Sequence, residues 1–158
     1  MNETTARNFA LRLLAIRPRT VRELRDKLAR RGYAPEAVAA LLADLSAIGL
    51  LDDARFARLW IESRAALKPM GQARLRAELA AKGVDRELVD AALSALRDGL
   101  DEPAAALQLA QRKARAFQGL GREARERRIA GFLGRRGYSG GVISATLKKL
   151  RKGFTGDG

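Results

Sequence analysis

Cysteine and histidine are both absent from the 158-residue sequence, and only 5% of its residues are aromatic. Without them the chain has no disulfide framework, no thiol nucleophile, no Cys/His zinc site and no imidazole for acid–base catalysis. Its apolar runs fall far short of the roughly 20 residues of a membrane span, and its first residues lack the basic and apolar regions of a signal peptide. We therefore expect a soluble, cytoplasmic protein that uses no metal or cofactor.

The positive charge is large and unevenly distributed. There are 31 Lys and Arg residues against 18 Asp and Glu, for a net charge of +13. Residues 1–50 carry a net +4, residues 51–103 a net −1 and residues 104–158 a net +10. Basic ends around a neutral middle favour contacts that are divided along the chain rather than uniform binding to one polyanion.

Three segments share one spacing pattern, which is centred on Gly32, Gly83 and Gly137. A cation precedes each glycine, and apolar residues stand 8 and 4 positions before it and 6, 10 and 13 positions after it. The matching residues are Leu24, Leu28, Arg31, Val38, Leu42 and Leu45; Leu75, Leu79, Lys82, Val89, Leu93 and Leu96; and Ile129, Leu133, Arg136, Ile143, Leu147 and Leu150. The copies are separated by 51 and 54 residues. We interpret them as an internal repeat.

Each repeat has the pattern of a helix–turn–helix with a further helix in front. The apolar positions share one helical face on either side of the glycine, and the glycine stands where a helix end needs a left-handed residue. Thr20 and Glu23 have capping-box spacing, and Gly49 closes the helix before it. The sequence predicts helices at about 5–17, 20–31, 35–48, 52–67, 71–82, 85–97, 103–117, 122–136 and 139–152. The predicted fold is all-α, with three tandem three-helix repeats at 1–50, 51–101 and 102–158 in an elongated, curved array.

The segment 49–57, Gly-Leu-Leu-Asp-Asp-Ala-Arg-Phe-Ala, resembles a signature of the RecX family of recombinase regulators. Segments 23–33 and 71–84 resemble that family's first-repeat and second-repeat patterns, and the third repeat matches more loosely. The resemblance runs from about Ala10 to Leu150. It implies three three-helix units and a partner, the RecA filament on DNA. In that family the protein lies in the filament groove and restrains strand exchange, ATP hydrolysis and coprotease activity.

No combination of residues predicts an active site. Asp52 and Asp53 are adjacent, so on a helix their side chains point about 100° apart and do not converge on one atom; we expect them to cap free amides. Phe56 and Trp60 are expected in the core. Tyr33 and Tyr138, at one repeat position, are expected to pack with a hydrated hydroxyl.

Basic clusters near helix ends are the candidate binding residues. A cation at a helix C-terminus also stabilises the helix dipole by about 0.3–1 kcal/mol, but this does not account for the +10 surplus of residues 104–158. The candidates for binding nucleic acid or a protein partner are Arg30, Arg31, Lys82, Arg112, Lys113, Arg115, Arg125, Arg127, Arg128, Arg135, Arg136, Lys148, Lys149, Arg151 and Lys152.

Three hypotheses follow for a chain that is not expected to be an enzyme. The first is a monomeric regulator that binds the RecA–DNA filament, with acidic Asp85, Glu87 and Asp90 of the middle repeat contacting protein and the basic repeats contacting DNA phosphates. The second is a DNA-binding protein of the helix-turn-helix or non-specific type. Helix 35–48 carries few polar side chains and helix 85–97 is largely acidic, which does not favour base reading. The third is a helical scaffold for another acidic partner.

Overall fold

The computed structural model describes residues 3–154, with side chains described for residues 5–153. Within that range the chain forms nine α-helices and no strand, which confirms the all-α prediction. The helices are α1 (Glu3–Ile16), α2 (Val21–Arg30), α3 (Pro35–Ala47), α4 (Asp53–Leu67), α5 (Gln72–Ala81), α6 (Arg86–Ala95), α7 (Glu102–Ala116), α8 (Arg122–Arg135) and α9 (Gly140–Phe154).

All nine predicted helices agree with the structure within two residues at each end. The prediction of 85–97 for the sixth helix is too long because α6 gives way to a short 3-10 turn at Arg97–Gly99. In that turn the Gly99 amide donates to the Leu96 carbonyl at 3.0 Å, an i to i−3 bond that replaces the α-helical one.

Side-chain caps fix the starts of several helices. The Thr20 hydroxyl accepts from the Glu23 amide at 3.1 Å, and Glu23 accepts from the Thr20 amide at 3.3 Å, so the predicted capping box is confirmed. Asp101 caps α7 through the Ala104 amide at 2.9 Å. Ser139 caps α9 through the Val142 amide at 3.2 Å. Helix α9 therefore begins with an ordinary side-chain cap, although its first two residues are glycines.

The three repeat glycines have the left-handed conformation that the pattern predicts. Their φ angles are 82° at Gly32, 83° at Gly83 and 85° at Gly137. After each glycine the next amide donates back to the leucine carbonyl of the preceding helix, at 3.1–3.3 Å. This bond is the mark of the Schellman motif. Gly49, with φ of 76°, ends α3 in the same conformation.

The chain divides into two compact units. One contains the described residues up to Trp60 together with Glu78–Ala92, and the other contains Ile61–Ala77 together with the described residues from Leu93 onward. The chain passes from one unit to the other within α4, α5 and α6.

Each unit has a hydrophobic core of its own. In the first unit, helices α1–α3 enclose a cluster that includes Leu24, Leu28 and Leu45, which are fully buried. In the second, α7 packs most extensively against α9, and the cluster includes Ile129 and Leu133. Among the described helices none is long and apolar enough to span a membrane.

Candidate nucleic-acid interface

Lys82, the cation before the second repeat glycine, lies in a network that joins the first repeat to the second. The Thr20 hydroxyl donates to the Lys82 carbonyl at 2.6 Å. The Lys82 ammonium donates to Glu23 at 3.2 Å and lies 4.5 Å from the centre of the Trp60 ring. Burial raises the pKa of Glu23, but hydrogen bonds from Arg17 and Lys82 and from the Thr20 amide outweigh it and hold the pKa below its usual value. The structure thus places this candidate among intramolecular partners.

Arg136, the cation before the third repeat glycine, lies in a corresponding junction between the second and third repeats. The Gly71 amide donates to the Arg136 carbonyl at 2.8 Å, and Gly71 is 51 residues after Thr20, the donor of the first junction. The Arg136 guanidinium donates to the Pro69 carbonyl at 3.1 Å and lies 5.2 Å from the centre of the Phe132 ring. Arg136 therefore also joins two repeats.

The cation before the first repeat glycine is exposed. The Arg31 guanidinium lies 4.4 Å from the centre of the Phe9 ring on α1. All three cations at this repeat position thus lie over an aromatic ring, and two of them also dock one repeat on the next. Their shared position in the repeat has a structural reason.

The two adjacent aspartates cap two different helices. Asp52 accepts from the Arg55 amide at 2.9 Å and caps α4, as expected. Asp53 accepts from the Val21 amide at 3.0 Å and caps α2 in the preceding repeat. Burial raises the pKa of Asp53, and the negative charges of neighbouring carboxylates, Asp85 foremost, add to the rise.

The aromatic residues are packed, with one difference from the prediction. Phe56 is buried and stacks on the half-buried Trp60 with ring centres 5.9 Å apart, so the core prediction is confirmed for Phe56 and holds in part for Trp60. The predicted hydrated hydroxyl is wrong for Tyr138. Its hydroxyl is buried and finds no hydrogen-bond partner among the described residues. Burial, with a further contribution from Glu102, raises the pKa of Tyr138 to about 12.

Most remaining candidate cations lie on the surface of the second unit. Arg125 and Lys113 are half-buried. Arg151 is exposed, but it pairs with Glu126 through contacts of 2.6 and 2.8 Å that hold the pKa of Glu126 below its usual value. The other exposed candidates in the chain are Arg30, Arg112, Arg115, Arg127, Arg128, Arg135, Lys148, Lys149 and Lys152.

Four of these cations meet in a groove of about 600 Å³ between α7 and α8. We call it the α7–α8 groove. It is lined by Lys113, Phe117, Ala124, Arg127, Arg128, Gly131, Phe132 and Arg135, which include no acidic residue. The Lys113 ammonium lies 4.8 Å from the centre of the Phe132 ring, and the Arg128 guanidinium lies 5.7 Å from that of Phe117. Among the described residues, Arg127 and Arg135 form no ion pair.

Sequence reasoning identified the cations of this groove but not its floor. The sequence alone predicts no binding role for Phe117, Gly131 and Phe132. The spacing of Arg128, Phe132 and Arg135 on α8, at intervals of four and three residues, puts them on one helical face and was the signal available. What the sequence did not show is that α7 places Lys113 and Phe117 beside that face.

The fold and this site together define a class: a helical protein of tandem three-helix repeats whose distinctive surface is a basic groove. The matches to family models agree with this class and extend it. The descriptions RecX, first three-helix domain, RecX, second three-helix domain, and RecX, third three-helix domain match residues 6–45, 52–93 and 101–147 in order. The chain belongs to the RecX family.

Individual relatives agree with that assignment. A protein named Regulatory protein RecX from Streptomyces lividans is 41% identical over 144 residues, which cover 91% of this chain and 76% of that protein. Its namesake from Mycobacterium ulcerans is 44% identical over 138 residues, covering 87% and 79%. The crystal structure of RecX from Lactobacillus salivarius shares the fold, with a TM-score of 0.87 at 21% identity over 94% of this chain and 96% of that one.

Proposed function

We propose that this chain is a regulator that binds the filament of the RecA recombinase on DNA and restrains it. The observation that carries the proposal is the ordered match of all three RecX domains along the chain. The relatives carry the name of a regulatory protein rather than that of an enzyme. Action on a chromosomal filament puts the protein in the cytoplasm, and we expect it to act as a monomer without a cofactor.

The mechanism we infer is binding to one state of the filament. A ligand that binds one conformation more tightly opposes every step that needs another conformation. Strand exchange, ATP hydrolysis and coprotease activity each require the filament to change or to admit a substrate, so one bound protein lowers all three.

The charge distribution supports a division of contacts within this mechanism. The exposed cations of the third repeat, Arg127, Arg128 and Arg135 among them, are suited to binding phosphates. In the middle repeat Asp85 and Glu87 are exposed at the start of α6 and suit a basic protein surface. Asp90 is less available, because it pairs with Arg86 at 3.6 Å.

The test adds the purified protein to preformed RecA filaments on single-stranded DNA and measures ATP hydrolysis. We expect hydrolysis to fall as the protein is added and to level off at saturation. Hydrolysis that stays unchanged at saturating protein contradicts the proposal.

A matched pair of variants separates specific contact from bulk charge. Combined substitution of Arg127→Glu, Arg128→Glu and Arg135→Glu changes the net charge as much as Arg12→Glu, Arg25→Glu and Arg58→Glu, at exposed cations outside the third repeat that are not binding candidates. We expect only the third-repeat variant to lose most of its inhibition. Equal loss in both variants contradicts the division of contacts. Arg136 is left intact because it joins two repeats.

A further inference from the structure

The α7–α8 groove combines two features that a surface evolved only for solubility does not need. It collects Lys113, Arg127, Arg128 and Arg135 around one concavity, and two phenylalanine rings form part of its lining. We propose that this groove binds single-stranded nucleic acid, with backbone phosphates on the cations and a base against the rings. The inference rests on the proposed function for its context, since it names the DNA contact of that regulator, but DNA alone suffices to test it.

The cations fit a chain of phosphates. Arg128 and Arg135 are seven residues apart on α8, which corresponds to about 10 Å along the helix. Phosphates follow one another at about 3.4 Å along the axis of a stacked strand, so this distance spans about three of them. Arg127 and Arg135 have no competing ion pair among the described residues, and no carboxylate lines the groove. A bound phosphate thus meets guanidinium groups that carry no intramolecular counter-charge.

The rings fit a base. Phe117 and Phe132 are only half-buried, so part of each ring is open to the groove. Their present neighbours are the charged ends of Lys113 and Arg128. An exposed cation–π contact is worth about 2- to 5-fold in affinity, whereas one base stacked on an aromatic side chain is worth about 5- to 150-fold. A base can therefore displace these cations from the rings, and each displaced cation then has a phosphate to bind.

A duplex can contact the cations of the groove but not its phenylalanine rings. Its bases are stacked and paired inside, so it offers phosphates to the cations but no base to the rings. A single strand offers both, because its bases are free to turn toward the groove. The groove should consequently prefer a single strand to a duplex, although each carries phosphates.

Gly131 gives this proposal a sharp test. It lies in the interior of α8 and lines the groove, where glycine costs a helix stability relative to alanine. A Cβ added there meets only the Arg135 guanidinium at 3.3 Å, so a side chain fits without moving the backbone. Gly134 is on the same helix and does not line the groove, and a Cβ there meets only Ile143 at 4.0 Å. The variants Gly131→Glu and Gly134→Glu thus change charge and helix composition equally.

The experiment measures binding of a fluorescent oligothymidylate and of a duplex to the whole protein, without recombinase, between about 50 and 200 mM salt. We expect the protein to prefer the oligothymidylate, and Gly131→Glu to weaken its binding at least tenfold more than Gly134→Glu. Equal effects of the two variants overturn the proposal, because they mean that charge acts without a groove. Equal affinity of the protein for oligothymidylate and duplex overturns it as well.

Two further variants separate phosphate binding from base binding. Arg135→Gln should reduce the slope of log affinity against log salt by about 0.7, the value of one single-strand phosphate contact. Phe117→Leu should leave that slope unchanged and lower affinity for oligothymidylate at least fivefold, without changing affinity for the duplex. If Phe117→Leu has no effect in a folded protein, the rings bind no base and the proposal is wrong. If Phe117→Leu does not fold, the comparison of Gly131→Glu with Gly134→Glu still tests the proposal.

Competition experiments show which kind of polyanion the groove binds. Inorganic polyphosphate should compete less well than oligothymidylate, since it has no base, and its binding should respond to Arg135→Gln but not to Phe117→Leu. A polyglutamate peptide should compete weakly. Polyglutamate that binds the groove more tightly than oligothymidylate overturns the proposal in favour of an acidic protein segment. If the unmodified protein binds oligothymidylate in the groove as expected but does not inhibit the recombinase, the proposed function is wrong and the inference about the groove stands.

Discussion

Thr20 stabilises two helix ends at once, and its hydroxyl can be removed with little change in shape. The hydroxyl accepts from the Glu23 amide at the start of α2 and donates to the Lys82 carbonyl at the end of α5. The side chain is completely buried. Thr20→Val keeps the branched shape and deletes both hydrogen bonds.

Two lost hydrogen bonds determine how much Thr20→Val lowers the free energy of unfolding. Loss of an N-cap hydrogen bond costs about 0.5–2 kcal/mol. The Lys82 carbonyl loses its partner as well in this part-buried contact, and an acceptor left unpaired away from water costs about 1–3 kcal/mol. Together they predict that Thr20→Val lowers the free energy of unfolding by about 2–4 kcal/mol. Thr20→Ser keeps both bonds and loses one methyl group, for which about 1 kcal/mol is expected.

Trp60 allows fluorescence to follow the unfolding of the unit that contains Thr20. It is the only tryptophan and belongs to the unit that contains Thr20. Denaturant unfolding followed by its fluorescence should show a markedly lower midpoint for Thr20→Val than for Thr20→Ser. In a chain of this length about 3 °C per kcal/mol is expected, hence a fall of about 6–12 °C in melting temperature. If Thr20→Val costs no more than Thr20→Ser, the second hydrogen bond contributes nothing and the reasoning is wrong.

Two other predictions concern the second unit and use unfolding followed by helical circular dichroism. Folding raises the pKa of Tyr138 from about 10 to about 12, so the unfolded chain ionises this tyrosine first and the free energy of unfolding falls as pH rises from 10 to 12, by at most about 2–3 kcal/mol. Tyr138→Phe should abolish this fall without destabilising the protein at pH 7, because it removes a buried hydroxyl that has no partner among the described residues, whereas Tyr33→Phe should leave the fall in place. Gly137→Ala should cost at least about 2 kcal/mol more than Gly49→Ala, because both have positive φ but only at Gly137 would a Cβ overlap Arg74; equal costs would mean that φ alone matters.

The helices were predictable because their ends obey local rules. Thr20 and Glu23 are three residues apart, and a capping box needs nothing else from the chain. The position of each repeat glycine after an apolar run likewise predicts a left-handed helix end. Such signals lie within one turn of the helix that they bound, so a single sequence is enough to read them.

Contacts between distant segments were not predictable in this way. Asp53 looked like a cap for its own helix, but it accepts from an amide 32 residues earlier in the chain. Nothing near Tyr138 in the sequence shows that its hydroxyl is buried without a partner. The groove needs Phe117 from the end of α7 beside Gly131 and Phe132 from α8. Each of these depends on how helices pack, which residue spacing along one helix does not contain.

The repeat itself separates the cations that serve the fold from those that are free for a partner. A residue present at one position in every copy answers a need that every copy shares. The cation before each glycine meets that description: Lys82 and Arg136 each dock a repeat on the one before it. Arg127 and Arg135 lie at positions where the second repeat has Ala73 and Ala81, so the fold does not require a cation there, and neither forms an ion pair among the described residues. The binding surface is therefore best sought among cations that are not present in every repeat, and the net charge of +13 overstates that surface because it counts both kinds of cation.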